Sequence, residues 1–459
     1  MFGRGAIMIE LKRKFYDFLV GWKASKRTEC LLVKGARQIG KTFIIRKFGR
    51  ENYEHFLEIN FIFNPEFISV FEGDISADQI FSKMSAVRQD FRFVPGRTLL
   101  FLDEIQECPN ARTALKTLAM SDKCDVIASG SLLGIKYKNK KKVPRSIPVG
   151  YERQVTMHSL SFEEFLWAFG YESAQFDYLR GFFERREAVP EAVNGKFHEL
   201  IRQYAVVGGM PEVVSRFVES RHYGDVQETQ DAILAAMIDD IHKYADKTDV
   251  PKIESCYRAI PRILAMENRK FKYSEVEKGG SARKYLDSVD WLNAAHLSSQ
   301  AECVTTPEAG LSGYVRDGWF KLYLSDVGLL MARLGPLVKR QLLDGSLSGS
   351  VKGGIYENLI SGILERNGFP LYYHKTESGD VEMEFVIEND DGVIPVEVKS
   401  TNGATQSLNK LLRRNHIPYG YKLTAGNVGV KDKKVTIPHY MAMFLRPCTL
   451  GESGDDGRH

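Results

Sequence analysis

Gly35-Ala36-Arg37-Gln38-Ile39-Gly40-Lys41-Thr42 has the residue types and spacing to hold a polyphosphate. Its glycines let backbone N–H groups curl around phosphate oxygens, Lys41 is placed to neutralise β/γ-phosphate charge, and the Thr42 hydroxyl is placed to ligate Mg²⁺. About sixty residues on, two acids stand side by side, Asp103 and Glu104. Asp103 completes a Mg²⁺ shell and Glu104 polarises an attacking water, which makes the pair a hydrolase site rather than only a binding site. Ser129 and Ser131, in Ala128-Ser129-Gly130-Ser131, offer hydroxyls to a γ-phosphate, although a plain turn explains either serine alone. ATP, with ADP as product and Mg²⁺ as cofactor, is the ligand this set anticipates.

Such groups need rigid supports. Leu31-Leu32-Val33 is a short apolar run leading into the glycine loop, and Phe43-Ile44-Ile45-Arg46-Lys47-Phe48 after it reads as a helix. That helix adds the positive end of its dipole, and backbone from Gly35 to Phe43 lines the phosphates. Thr98-Leu99-Leu100-Phe101-Leu102 is a continuous apolar run, the pattern of a parallel strand buried on both faces, and ligands bind at the carboxyl ends of such strands. Asp125 to Ser129 supplies a third strand, expected between the other two. The fold class is therefore α/β, a P-loop doubly wound parallel sheet, with further domains after it.

Three helical periods follow farther on. Ile253 to Leu264 carries apolar Ile253, Cys256, Tyr257, Ile260 and Leu264, Tyr273 to Val276 opens a short helix, and Ala282 to Leu292 places Tyr285, Leu286, Val289 and Leu292 on one face. Two strand-like runs come next, Ala294 to Cys303 and Phe320 to Leu324, giving the order of a winged helix-turn-helix. Residues 268–284 hold six basic side chains, Arg269, Lys270, Lys272, Lys278, Arg283 and Lys284, against Glu275 and Glu277. The last three basic residues stand where a recognition helix begins, so DNA is a candidate partner; a packing lid explains the same helices. Lys136, Lys138, Lys140, Lys141, Lys142 and Arg145 form a second basic cluster, read equally as a phosphate contact or a solvated loop.

A second candidate chemistry lies near the end. Glu357 falls on a helical segment, Tyr356 to Leu364; strands follow over Leu371 to His374, Val381 to Ile387 and Val393 to Lys399. Alternation puts Glu397 and Lys399 on the same side of the last strand. Glu384, Glu397 and Lys399, with Glu357, are the set a metal-dependent phosphodiesterase needs, carboxylates for Mg²⁺ and a lysine for developing charge. The arrangement resembles the PD-(D/E)xK nuclease core. It departs from that core at Glu384, where Asp is usual; the extra methylene moves the carboxylate by about 1.5 Å in a site that tolerates about 0.5 Å.

The motifs G-A-R-Q-I-G-K-T, L-F-L-D-E-I-Q and A-S-G-S resemble the prokaryotic AAA-type ATPases of the archaeal-ATPase/STAND branch, and within it the group with a nuclease-like C-terminal domain of unknown function. Ser159 to Phe165, Tyr204 to Pro211, Leu324 to Leu329, Tyr356-Glu357-Asn358 and Pro395 to Ser400 agree in order. The resemblance implies that Pro211 packs near base and ribose, that Met8 to Leu19 lies near the adenine, and that an arginine finger, Arg145 or Arg153, arrives from a neighbouring copy in a homo-oligomer. It implies domains over 1–195 (ATPase), 196–335 (helical lid and winged helix) and 350–445 (nuclease-like), with 446–459 as a disordered tail.

Composition sets limits. At 459 residues the chain exceeds one core. Its 63 basic and 59 acidic residues leave +4, too little to argue for nucleic acid without local clustering. Cys30, Cys108, Cys124, Cys256, Cys303 and Cys448 show no zinc spacing and read as reduced thiols of a cytoplasmic protein. No apolar run approaches a membrane span, and no signal-peptide core is present. Two function classes follow: an ATPase coupled to a DNA-directed nuclease module, or a nucleotide-dependent switch whose C-terminal domain only binds DNA or protein.

Overall fold

The computed structural model describes residues 10–25, 29–131, 150–401 and 403–449. Met8, Ile9, the basic run Lys136 to Arg145 and the tail from residue 450 lie outside the described residues. Two compact units are present, Met1–Leu160 with Asp290–Leu297, and Ser161–Val289 with Ser298–His459.

The first unit is a parallel α/β sheet. Its strands are β1 (Cys30–Lys34), β2 (His55–Asn60), β3 (Thr98–Asp103), β4 (Asp125–Ser129) and β5 (Glu152–Thr156). They lie in the order β2-β3-β4-β1-β5, every neighbouring pair parallel. Each residue of β3 is buried, as its unbroken apolar run requires, and β4 takes the expected place between β1 and β3. Helices Lys41–Asn52, Ala77–Val87 and Pro109–Ser121 connect the strands. One core of this unit joins Leu32, Ile59, Leu100, Leu102 and Ala128 of the sheet to Phe71, Ile80 and Leu115. The carboxyl ends of β1, β2, β3 and β4 thus deliver Lys34, Asn60, Asp103 and Ser129 to one edge of the sheet.

The second unit begins with helices from Phe162–Trp167 to Val250–Leu264 and then builds a mixed sheet. Its strands are β6 (Ser298–Val304), β7 (Val315–Leu324), β8 (Tyr372–Lys375), β9 (Glu382–Asn389), β10 (Gly392–Val398), β11 (Gly420–Thr424), β12 (Gly429–Lys431) and β13 (Lys434–Pro438). The order is β12-β13-β11-β10-β9-β8-β6-β7. The divisions expected at 195 and between 335 and 350 both fall inside the second unit. β6 pairs in parallel with β8, so strands on either side of residues 335–350 share one sheet, and the helices from residue 162 on belong with them.

The helix–helix–helix–hairpin order is present as Val250–Leu264, Tyr273–Val276, Ala282–Ala294 and the antiparallel pair β6–β7. Tyr285, Val289 and Leu292 are buried, but Leu286 is 48% exposed, because it sits one residue, about 100° of helix, away from Tyr285. Around β8 to β11 the chain runs helix Gly349–Arg366, an antiparallel β8-β9-β10 meander, helix Gln406–Leu412 and parallel β11.

Several motifs that carry the family resemblance turn out to be joints. Ser161 and Glu164 form a reciprocal capping box on the helix Phe162–Trp167. Asp326 caps the helix Val327–Leu334 through Gly328 N–H at 2.9 Å and accepts Gly209 N–H at 2.8 Å. A Cβ on Gly208 would strike Asp326, and one on Gly328 would strike the Val207 carbonyl, so both closing positions need glycine. The Asn358 amide exchanges two hydrogen bonds of 2.9 Å with the Leu324 backbone, docking its helix onto the end of β7.

Candidate functional site

The glycine loop is shaped by two left-handed-side glycines and one crowded neighbour. Gly35 has φ +143, and a Cβ there would meet the Met157 carbonyl and come within 2.7 Å of Ile39 Cδ1. Gly40, at φ +89, turns the chain into the helix that starts at Lys41. Gln38, at φ +63, is the non-glycine left-handed position of the loop and is exposed. Arg13, 6% exposed, fastens the loop from outside: its guanidinium donates to the Ile39 carbonyl at 2.9 Å and to the His158 carbonyl at 2.6 Å.

Lys41 is 9% exposed and its Nζ donates to the Gly35 and Ala36 carbonyls at 3.0 and 2.7 Å. Burial lowers its pKa to about 8, against the pull of Glu104 and Asp103. Phosphate oxygens brought into this loop favour the charged ammonium. Phe43, in the first turn of the helix, is half exposed, so the backbone is what it offers.

Asp103 is held by neutral donors. Thr42 Oγ1 and Asn60 Nδ2 each donate to its Oδ2 at 2.9 Å, Ser129 Oγ donates to Oδ1, and the Glu104 N–H reaches Oδ1 at 3.1 Å. The carboxylate is 2% exposed. Hydroxyl and carboxylate oxygens meeting this way are the hard ligands Mg²⁺ selects, so Thr42 and Asp103 fit that ion. Ser129, fully buried, spends its hydroxyl on Asp103 rather than holding it out toward a γ-phosphate; Ser131 is also buried.

Glu104 takes a left-handed backbone, φ +54, which turns its side chain out of the strand direction. Burial raises its carboxyl pKa, and a hydrogen bond from Gln106 Nε2 opposes that rise. Gln106 is 5% exposed, and among the described residues its Oε1 has no hydrogen-bond partner.

Asn60, Gln106 and Arg13 escaped sequence reasoning. A signal for Asn60 exists: His55-Phe56-Leu57-Glu58-Ile59-Asn60 alternates as a strand, and its last residue is in parallel register with Asp103. Arg153 lies on edge strand β5 opposite Leu31, three residues, or about 10 Å, short of the loop end, with its guanidinium 5.4 Å from the Phe18 ring centroid. Glu10 to Arg13, Tyr16 and Asp17 line a pocket of about 230 Å³ with Ile44 and Lys47. Pro211 belongs to the second unit, where it opens the helix Pro211–Ser220.

The acids expected near the end do converge, with cations among them. Glu357, 1% exposed, accepts from Arg269 at 2.5 Å on Oε1; Lys321 Nζ at 3.4 Å and Tyr323 OH at 3.3 Å reach Oε2. Lys321, 1% exposed, also pairs with Glu382 at 3.1 Å, and Lys375 pairs with Glu382 at 2.6 Å. Lys399 bridges Glu384 at 3.3 Å and Glu397 at 3.1 Å. Burial outweighs Lys399 at Glu384 and raises its carboxyl to about 7, whereas the two acids outweigh burial at Lys399 and raise it. The deeper seat of Glu384 accounts for the asymmetry. Glu397 Oε2 is buried without a hydrogen bond among the described residues. Among the described residues no group of three or more His, Cys, Asp or Glu is arranged to hold a metal. Glu357 has its oxygens engaged by two cations, Arg269 and Lys321, and does not fit a divalent ion.

The basic residues of 268–284 are partly spent as well. Arg269 serves Glu357, Lys270 lies 3.2 Å from the Trp319 ring centroid and Lys284 bonds Glu277. Lys272, Lys278 and Arg283 are exposed.

A parallel sheet with a glycine loop, a buried lysine and a strand-end acid pair is the arrangement of a P-loop α/β nucleotide-binding fold. Residues 27–166 match the family described as AAA domain; residues 198–337 and 352–441 each match a domain of unknown function, DUF8612 and DUF4143. No curated protein matches the chain. Similar solved structures include the Walker-type ATPase PABY2304 of Pyrococcus abyssi, 14% identical over 71% of this chain and 96% of that one, TM-score 0.40. The RuvB branch migration motor of Thermotoga maritima is 11% identical over 63% and 89%, TM-score 0.28. DnaA of Aquifex aeolicus is 10% identical over 62% and 89%, TM-score 0.28. No described helix is long and apolar enough to cross a membrane.

Proposed function

We propose that the chain binds Mg·ATP in the first unit, hydrolyses it, and uses the cycle to act on DNA through the second unit. The observation that carries the hydrolytic reading is the 2.9 Å contact of Thr42 with Asp103, beside Lys41 and a base-ready Glu104. Lys41 and the backbone from Gly35 to Phe43 hold the phosphates, and Thr42 and Asp103 hold the ion, which supplies Lewis acidity at the phosphoryl oxygens. Glu104 takes the proton of the attacking water, and Gln106 fixes the direction of its carboxylate. The pocket beside Arg13, Tyr16 and Ile44 takes the adenine. Pro211 is assigned to the base and ribose by resemblance alone.

Arg153, on an edge strand and remote from its own loop, is suited to serve a neighbouring copy in a homo-oligomer. Lys272, Lys278 and Arg283 are the exposed cations available to a DNA backbone in a winged-helix arrangement. The helix, meander and crossover around β8 to β11 support a PD-(D/E)xK-like second unit. Five buried free thiols agree with a reducing, cytoplasmic setting.

Phosphate release measured for the full chain, Lys41→Ala and Glu104→Gln tests the hydrolytic core. Lys41→Ala is expected to lose ATP binding, and Glu104→Gln to keep ATP while turnover falls by about 10²–10⁴-fold. Unchanged turnover in Glu104→Gln rejects its role as base. For DNA, a salt-sensitive mobility shift weakened by Lys278→Glu with Arg283→Glu is expected; no shift at low salt ends that part of the reading.

A further inference from the structure

We infer that Lys321 is the built-in counter-cation of the second unit's acidic centre, supplying the positive charge that a divalent ion supplies in a cleaving nuclease, so that this unit engages nucleic acid without cutting it. The inference rests on the nuclease-like reading of that unit and narrows it.

Four carboxylates and four cations face one another there. Glu357 meets Arg269 and Lys321, Glu382 meets Lys321 and Lys375, and Glu384 and Glu397 share Lys399. Four cations already stand against the four carboxylates before any ion arrives. A divalent cation entering this set adds two positive charges where every carboxylate already has a lysine or arginine partner, and it gains ligands only by displacing one.

Lys321 has nowhere to go. It lies on β7 beside β6 in the sheet, its side chain is 2% exposed, and its Nζ sits 5.1 Å from the Tyr373 ring centroid. Arg269 is equally fixed. It donates to the Leu264 and Ser350 carbonyls at 3.2 and 3.1 Å while gripping Glu357. A Cβ on Gly353 would strike its guanidinium, so the helix carrying Glu357 is cut away to admit this arginine. Glu357 is therefore permanently engaged by protein donors. What remains, Glu384 and Glu397, is bridged by Lys399.

Mn²⁺ bound per full-length chain, counted by electron paramagnetic resonance with and without a slowly hydrolysed ATP analogue, tests the inference. One Mn²⁺ is expected with the analogue and none without it, and Mn²⁺ is expected to leave supercoiled plasmid un-nicked. A nucleotide-independent Mn²⁺ that disappears in Glu397→Gln overturns the inference, as does nicking that disappears in Lys399→Ala. If no Mn²⁺ binds even with the analogue, the ATPase reading fails while this one stands. Lys321→Met is expected to gain a nucleotide-independent Mn²⁺, lost again when Glu397→Gln is added. A folded Lys321→Met chain that gains none contradicts the exchange of lysine for metal. Should Lys321→Met not fold, the wild-type count and the plasmid assay still decide.

Discussion

Asp103 and Glu357 are both almost completely buried carboxylates, yet their surroundings answer the charge in opposite ways. Around Asp103 the donors are a threonine hydroxyl, a serine hydroxyl, an asparagine amide and a backbone N–H, all neutral. Around Glu357 they are an arginine, a lysine and a tyrosine hydroxyl. Neutral donors orient a carboxylate and leave its charge for something that comes and goes with nucleotide. Cationic donors discharge it permanently. Acid clusters alone therefore do not identify a metal centre; the charge of their partners does.

The comparison breaks most readily if the second solution is imported into the first. Asn60→Lys puts an ammonium beside Asp103 and removes the reason for Mg²⁺ to bind. Losing the several kcal/mol of charge stabilisation a metal provides lowers phosphate release by at least about 100-fold. Turnover close to wild type in that variant contradicts the distinction.

The converse change, Lys321→Met, leaves Glu357 and Glu382 short of a cation. Removing one partner of a buried pair costs about 3–5 kcal/mol. Denaturant unfolding of the second unit is the measurement, and a loss under about 1 kcal/mol means that Lys321 is not a structural counter-charge.

Glu384 gives a pH signature. Its folded carboxyl is raised to about 7, above the ordinary value, so the folded state holds a proton that the unfolded chain has released. Stability on this account is greatest below about pH 4 and declines as pH rises through about 7, by on the order of 3 kcal/mol. Glu384→Gln is expected to flatten the decline between pH 5 and 8 in thermal unfolding. An unchanged slope removes the buried, proton-holding acid from the account.

The smallest effect belongs to Ser129→Ala, which deletes one hydrogen bond from a neutral donor to a charged carboxylate, worth about 1.5–3 kcal/mol. The Mg²⁺ concentration for half-maximal turnover is expected to rise at least about tenfold. No change assigns the Ser129 hydroxyl to packing alone.

The local parts of both centres were legible in the sequence. The glycine loop, Lys41, Thr42, Asp103 and Glu104 are contiguous or strand-borne, and Glu397 with Lys399 follows from side-chain alternation. Their partners were not, because register and crossing chains bring them in. Asn60 reaches Asp103 only since β2 and β3 end level with each other. Lys321 looks like an ordinary polar interruption of Trp319-Phe320-Lys321-Leu322-Tyr323, and only the helix bearing Glu357 makes it a buried cation. Arg269, counted among basic residues for DNA, is diverted for the same reason. Leu286 shows the limit of helical patterning, where one residue of phase exposes an apolar side chain.

Calorimetric titration of the full chain with a slowly hydrolysed ATP analogue, in Mg²⁺ and again in EDTA, tests most directly whether the neutral-donor centre is built for a nucleotide-borne metal. The account predicts one site per chain, an affinity weakened at least about tenfold in EDTA, and no uptake by Lys41→Ala. Absence of uptake by well-folded wild-type protein, or uptake indifferent to both Mg²⁺ and Lys41, contradicts it.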